Sequence, residues 1–487
     1  MNAERFGRIA SHAAMRVRGW RQSLERSPRT PRTRPARLQV GGPILGNVFA
    51  LARDRLWLMQ QAGAIRGGIC ELPLARGSVV VVSTPDLVHE VLVTQADSFA
   101  KGTSFRFLRP VIGNGLLTSE GDFHTRQRKL MAPALTHKRI AAYADTMAAY
   151  AERAQAGWDD GAHIDLSAEM MRLTLDIVSK TLLDTDVGTA TDEVGSAVSL
   201  LMRDVNARMS TPISFLLGSA SRSSGARAAM ATLDRVILRI IRERRESKAD
   251  TGDLLSMLLA AQEEDTGEGM SDAQVRDEVM TIFLAGHETT ANALSWALYL
   301  LARHPDSYRR LRDEATTVLG GRTASANDIP RLGYALQVFK EALRLYPPAY
   351  LTSRLAVRDV EIGGHLIRTG TDVIANICAM QRRPEYFPDP DRFDPDRFEA
   401  AAEKNLPRGA YLPFGAGARI CIGNNFAMME GQLILATLAQ RVDLALDVAG
   451  DIAPEPLVTL RPAGGVPMRV RRLPSARAIP EKLPQVP

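Results

Sequence analysis

The chain has 487 residues, 45% of them hydrophobic and 24% charged, with three widely spaced cysteines, Cys70, Cys378 and Cys421. That composition belongs to a globular protein with a sizeable core; with wide spacing and no Cys-x-x-Cys pair, neither a zinc site nor a disulfide framework is indicated, and a reducing, cytoplasmic setting is expected. The net charge of +6 is local: ten arginines against Glu4 and Glu25 give the first 37 residues +8 and leave −2 for the rest, so no nucleic-acid partner is indicated.

Within the basic segment, Phe6, Ile9, Ala13, Val17, Trp20 and Leu24 recur at helical spacing. The stripe is too short to span a bilayer. Three readings stay open for it: a helix docked on the body of the protein, a helix in peripheral contact with a membrane surface, or an Arg-rich targeting segment. Residues 27–37 mix Pro, Arg and Thr and are expected to be extended. These features divide the chain into a basic segment and linker over 1–40, one undivided body over 41–473, and a Pro-rich, disordered tail over 474–487.

The body opens on β-rich runs, Ile69 to Leu74 and Ser78 to Ser83, separated by Ala75-Arg-Gly77 as a hairpin would be. From there to about residue 345 the pattern is mostly helical. In Gly121-Asp-Phe-His-Thr-Arg-Gln-Arg128, His124 and Arg128 share a face. A Ser/Gly-rich break at residues 217–225 reads equally as a mobile lid or an inert surface loop. Ser271-Asp-Ala-Gln274 is a capping box for a helix running to about Arg303, where Pro305 stops it, roughly 48 Å long. At its centre the polar cluster Ala285-Gly-His-Glu-Thr-Thr290 interrupts apolar flanks. There the Thr289 hydroxyl can compete for the Ala285 carbonyl, loosening the helix and opening a groove. Glu341 and Arg344 pair at i,i+3 before Pro347, and Val360 to Ile367 and Asp372 to Cys378 read as strands.

Phe414-Gly-Ala-Gly-Ala-Arg-Ile-Cys-Ile-Gly423 places Cys421 in a glycine-rich loop just before an apolar helical run. A helix starting there aims its positive end at the sulfur, which is expected to lower the thiol pKa and favour a metal thiolate. Arg419, two residues away, suits a carboxylate.

This loop, with Phe414, Gly417, Arg419, Cys421 and Gly423 in the pattern Phe-x-x-Gly-x-Arg-x-Cys-x-Gly, resembles the haem-binding loop of the cytochrome P450 family. Ala285 to Thr290 resembles the family's oxygen-activation motif. Glu341 and Arg344 with Arg397 of Phe393-Asp-Pro-Asp-Arg-Phe398 resemble its Glu-Arg-Arg scaffold cluster, Asp396 standing where Glu is commoner. The resemblance runs from about Gly41 to Arg472. It implies a mainly α fold with small β-sheets, one large helical domain with a long central helix over a haem b. Cys421 is then the iron ligand, and His124, Arg128, Arg354 and Arg419 hold the haem propionates. Glu288 and Thr289 are implied as the acid and alcohol that deliver protons for oxygen activation. The implied activity is a monooxygenase using dioxygen, an apolar small-molecule substrate (terpenoid, fatty-acyl or polyketide-like) and a separate ferredoxin- or flavodoxin-type electron donor. A haem-thiolate peroxygenase or isomerase, which takes oxygen already reduced, and a non-catalytic haem sensor are the other classes; the Glu-Thr pair favours the first. Phe105 to Ile112, Phe283, Pro348 to Leu351 and Leu457-Val458 are the implied pocket linings.

Overall fold

The longest element is the helix Asp272–Arg303, and its start is fixed by the capping box expected from the sequence. The Gln274 N–H donates to Ser271 Oγ at 3.3 Å, and the Ser271 N–H donates to Gln274 Oε1 at 2.7 Å, so two donors without helical partners are satisfied reciprocally. It ends at His304, where Pro305 opens the next helix. In the computed structural model of the chain, which describes residues 34–75, 77–184, 191–210, 223–247, 253–262, 267 and 269–474, this helix crosses the core. It packs against Leu166–Leu183, Ser224–Ser247, Gly333–Leu345 and Asn424–Ala439, and is called the central helix below. The basic stripe before residue 34, the break over 217–222 and the tail beyond residue 474 lie outside the described residues. None of the described helices is long and apolar enough to cross a membrane.

Beside the helices stands a six-stranded sheet in the order β1-β2-β3-β9-β6-β4. Its strands are β1 (Ala36–Arg37), β2 (Ile69–Pro73), β3 (Ser78–Val82), β4 (Phe99–Lys101), β6 (Thr352–Ala356) and β9 (Asp372–Ala375). β2 and β3 form the expected hairpin, with Ile69 opposite Val82 and Pro73 opposite Ser78. β1 pairs parallel to β2, so the folded body begins by residue 36 and not at 41, and the end of the expected linker is a strand. Smaller sheets are β10 (Val442–Leu446), β13 (Pro467–Arg472) and β5 (His163–Asp165), and the hairpins β7 (Val360–Ile362) with β8 (His365–Ile367) and β11 (Pro454–Pro456) with β12 (Leu460–Pro462).

Two strand expectations change. The run from Val360 to Ile367 folds back on itself because Gly363 and Gly364 take φ of 55° and 81°, a turn conformation that a side chain disfavours. The run from Asp372 stops at Ala375, because the Asn376 side chain accepts from the Ala379 N–H at 3.4 Å and caps the short helix Ile377–Met380.

Glu341 and Arg344, on Gly333–Leu345, are both fully buried and form a two-pronged pair, Nε to Oε2 at 2.6 Å and Nη2 to Oε1 at 2.8 Å. Arg344 also donates to the carbonyls of Gln381, Pro390 and Arg392, and Glu341 accepts from the Asp394 N–H at 2.9 Å with Arg397 Nε at 3.4 Å. The pair thereby ties one helix to the irregular chain between Gln381 and Arg397. Asp396 is used elsewhere, on Arg310 at 2.8 Å. Removing one partner strands a buried charge. Arg344→Leu is therefore expected to cost about 3–5 kcal/mol, and Arg344→Lys most of that because it lacks the fork; urea unfolding midpoints check both.

Candidate active site

The chain from Phe414 to Gly423 is bent by glycine at two points. Gly417, at φ 74°, lies so close to Leu92 that a Cβ would fall 2.1 Å from its carbonyl oxygen, whereas Gly415, at φ 70°, faces open space. The Cys421 N–H donates to Phe414 O at 3.0 Å and closes the loop. The helix Asn424–Ala439 starts three residues on, with Gly423 as its N-cap. Cys421 keeps accessible surface although protein surrounds it closely, as for a side chain on the wall of an internal recess. Cys70 and Cys378 are buried, their thiols pushed up to about 12 and about 11, so neither is a competing thiolate. For Cys421 itself the helix expectation is corrected. Burial pushes its thiol up, and the Gly423 N–H and the Arg128 guanidinium only partly offset that. A cation at the sulfur would reverse the balance.

Around this loop the structure gathers the four expected cationic or basic residues. Arg128, on Gly121–Met131, donates from Nη1 to Ile420 O at 2.8 Å and so braces the loop one residue before the cysteine. His124, one turn earlier, is buried and pushed down to about 4, first by burial and then by Lys101, Arg419, Arg128 and Arg354. It is neutral at ordinary pH, with one ring N–H to donate. Arg419 pairs with Glu120 at 2.5 Å through Nη2, while its Nη1 is buried without a partner among the described residues. Arg354, on β6, donates to Thr352 Oγ1 at 3.1 Å and Ser353 O at 3.0 Å. Burial and Arg419 hold it down to about 10.

A fifth member was not singled out from the sequence. The β4–β6 register sets Lys101 directly opposite Arg354, a like-charge pair that is unfavourable across strands. Lys101 Nζ donates to Leu116 O at 2.8 Å and Ser119 O at 2.6 Å, and its N–H donates to Glu120 Oε1. Burial, with Arg419 and Arg354, brings it down to about 7 despite Glu120. Four potential cations and a histidine thus gather where the described residues place two carboxyls, Glu120 on Arg419 and the buried Glu278, which acts on Lys101 from the central helix and is itself pushed up to about 7 by burial. The deficit of negative charge, the orphaned Arg419 Nη1 and the glycine-lined cysteine loop fit a flat dianion with a metal at its centre, as haem is.

On the central helix, Ala285 is exposed and Thr289 half-buried, although the residues on either side belong to the core. Thr289 Oγ1 donates to Ala285 O at 2.7 Å, the back-bond expected from the sequence. Glu288 is buried and points elsewhere. It accepts from Thr459 Oγ1 at 2.6 Å, and burial holds its carboxyl above the usual range against the opposing effects of Thr459 and Arg461. Of the expected pocket linings, Val111, Ile112, Phe283, Pro348 and Tyr350 are packed into the core; Phe105, Phe107, Leu108, Leu351, Leu457 and Val458 keep accessible surface. Lys101, Glu120 and Thr459 are the functional candidates that sequence reasoning missed.

A family model described as Cytochrome P450 matches residues 36–464. Cyclooctatin synthase of Streptomyces melanosporofaciens is 38% identical over 442 residues, covering 89% of this chain and 96% of its own length. Cyclooctat-9-en-7-ol 5-monooxygenase of the same organism is 37% identical, with 82% and 87% covered. Pentalenene oxygenase of Streptomyces avermitilis is 32% identical, with 86% and 93% covered. Among solved structures, the cytochrome P450DA heme domain aligns with a TM-score of 0.83 at 28% identity, over 91% of this chain and 99% of that one.

Arg354→Ala removes one charged donor to a carboxylate and is expected to weaken haem retention roughly tenfold, read as haem per polypeptide after dilution. Lys101 titrates near 7 in the folded chain against 10.5 for the free side chain, so between those values the unfolded chain binds more protons. In haem-free protein, wild type should therefore gain stability relative to Lys101→Met as pH rises from about 7 to about 10.5, the penalty being complete below that window. Urea midpoints across the window check this, and haem loading should flatten the slope.

Proposed function

The chain belongs to the cytochrome P450 family and is a haem-thiolate monooxygenase; on that premise we propose that it oxygenates a terpenoid skeleton, drawing electrons from a separate ferredoxin- or flavodoxin-type protein. The observation that carries the reading is the Ala285–Thr289 opening in the mostly buried middle of the helix, with a buried carboxyl at the adjacent position. Relatives named for cyclooctat-9-en-7-ol and pentalenene support the substrate class, as does the apolar character of Phe105, Phe107, Leu108, Leu457 and Val458.

When bound through a cysteine thiolate, haem supplies the iron that activates dioxygen, and thiolate donation weakens the O–O bond. The residues of this chain then divide the remaining work. Cys421 is the ligand, while Arg128, Arg354, Arg419 and Lys101, with the His124 N–H, hold the carboxylates. The accessible apolar side chains exclude water and hold the substrate. Reducing one dioxygen to a hydroxylated product and water takes two electrons and two protons. Side chains at this site supply protons only. In this reading Glu288 holds a proton in a dry environment, and the Thr289 hydroxyl, which can rotate off Ala285 O, passes it into the groove. The electrons come from the partner protein.

The test uses haem-loaded protein. Its reduced carbon monoxide complex should show the red-shifted band that names the family, and cyclic terpenes should shift the haem spin state where long-chain fatty acids do not. Turnover should require a surrogate ferredoxin and its reductase, with little product from hydrogen peroxide alone. Product formed equally well from peroxide would overturn the electron-donor reading. Thr289→Ala should lower the share of electrons recovered as product severalfold while substrate binding persists; full recovery removes Thr289 from the proton path.

A further inference from the structure

Glu288 is held from outside the central helix. Its partner, Thr459, stands at the tip of the β11–β12 hairpin beside Leu457 and Val458, the two accessible apolar residues of that tip. Thr459 Oγ1 accepts from Asn292 Nδ2 at 3.1 Å and donates to Glu288 Oε1 at 2.6 Å, and all three residues are buried. The amide of Asn292, one helical turn beyond Glu288, therefore turns the hydroxyl hydrogen toward the carboxyl. Glu288 Oε1 is engaged, and Oε2 makes no hydrogen bond among the described residues.

The tip has little freedom of its own. Trp296 Nε1 donates to Leu460 O at 3.2 Å, the Leu460 N–H to Pro348 O at 3.0 Å, and Tyr350 OH to Leu457 O at 2.9 Å. Arg55 Nη1 in turn donates to Tyr350 OH at 3.0 Å. The hydroxyl that touches the acid is thus fixed to the same short segment as two residues of the pocket wall.

We propose that Thr459 is a positioning residue for Glu288: it holds Oε1 from the pocket wall, leaves Oε2 to carry the mobile proton, and couples substrate contact at Leu457 and Val458 to proton delivery. This rests on the reading of Glu288 as the proton-holding acid. A hydroxyl donating to a carboxylate stabilises the anion, so Thr459 lets a buried acid release its proton more readily than burial alone would allow. The charged side chain that also acts on Glu288 is Arg461 on β12, which is itself paired with Glu455 on β11 at 2.8 Å. From Asn424–Ala439 the buried Glu430 faces Thr290, and the neighbouring His287 is turned to Phe283 O at 2.7 Å.

The experiment compares haem-loaded wild type, Thr459→Val, Thr459→Ser and Glu288→Gln. Infrared difference titration follows the protonated carboxyl stretch assigned by its loss in Glu288→Gln. Parallel assays follow the share of electrons recovered as product and as hydrogen peroxide. Thr459→Val should move the infrared midpoint up by roughly one pH unit, the worth of one hydrogen bond, and divert electrons to peroxide severalfold. Thr459→Ser should restore both. A merely structural role for Thr459 would change substrate affinity and leave the midpoint in place, and that result overturns the proposal. Should Thr459→Val not fold, Asn292→Leu, which frees the hydroxyl from its orientation, must raise the midpoint for the proposal to stand. If Glu288→Gln keeps full recovery of electrons as product, the underlying assignment of the acid fails; if Glu288→Gln loses it while Thr459→Val matches wild type, only the role of Thr459 fails.

Discussion

A helix about 48 Å long through the middle of a protein must satisfy neighbours on every side, because interiors are packed as densely as organic crystals. The central helix does so through most of its middle, from Glu278 to Leu301, and the Ala285–Thr289 face is the break in that stretch. The other parts of the site are arranged around that exception. The β11–β12 hairpin packs on the same helix, and Cys421 on its glycine-bent loop keeps accessible surface. Turning the Thr289 hydroxyl inward onto Ala285 O and Glu288 outward onto Thr459 separates two polar groups that adjoin in sequence. One borders the groove, and the other is kept dry.

Elsewhere in the core the fold relies on a different device. Glu341 and Arg344 form an ion pair with no exposed surface, and it is tolerable because backbone carbonyls and an N–H occupy the fork and the carboxylate fully. The pair holds irregular chain that has no sheet or helix to order it.

What was legible in the sequence was whatever acts over a few residues. The Ser271–Gln274 box, the Pro305 stop and the glycine spacing around Cys421 all encode local backbone chemistry, and each appears where expected. The family pattern supplied His124, Arg128, Arg354 and Arg419, and the structure brings them together. Lys101 was not legible, because its meaning comes from lying opposite Arg354 in a register formed by segments about 250 residues apart in the chain. Thr459 was hidden similarly, an unremarkable threonine until a hairpin sets it on Glu288. The thiol of Cys421 shows the converse error. A helix start is visible in sequence, but the desolvation that outweighs it depends on what packs around the sulfur.

The juxtaposition of Lys101 and Arg354 also bears on the life of the polypeptide before it becomes an enzyme. Without a bound dianion, the newly made chain carries repulsion that its own Glu120 and Glu278 relieve only in part. A ligand that binds the folded form alone draws the equilibrium toward folding by mass action. Haem held by these residues would therefore protect the chain from proteolysis, and cofactor scarcity would be registered first as a loss of protein and only afterwards as a loss of turnover.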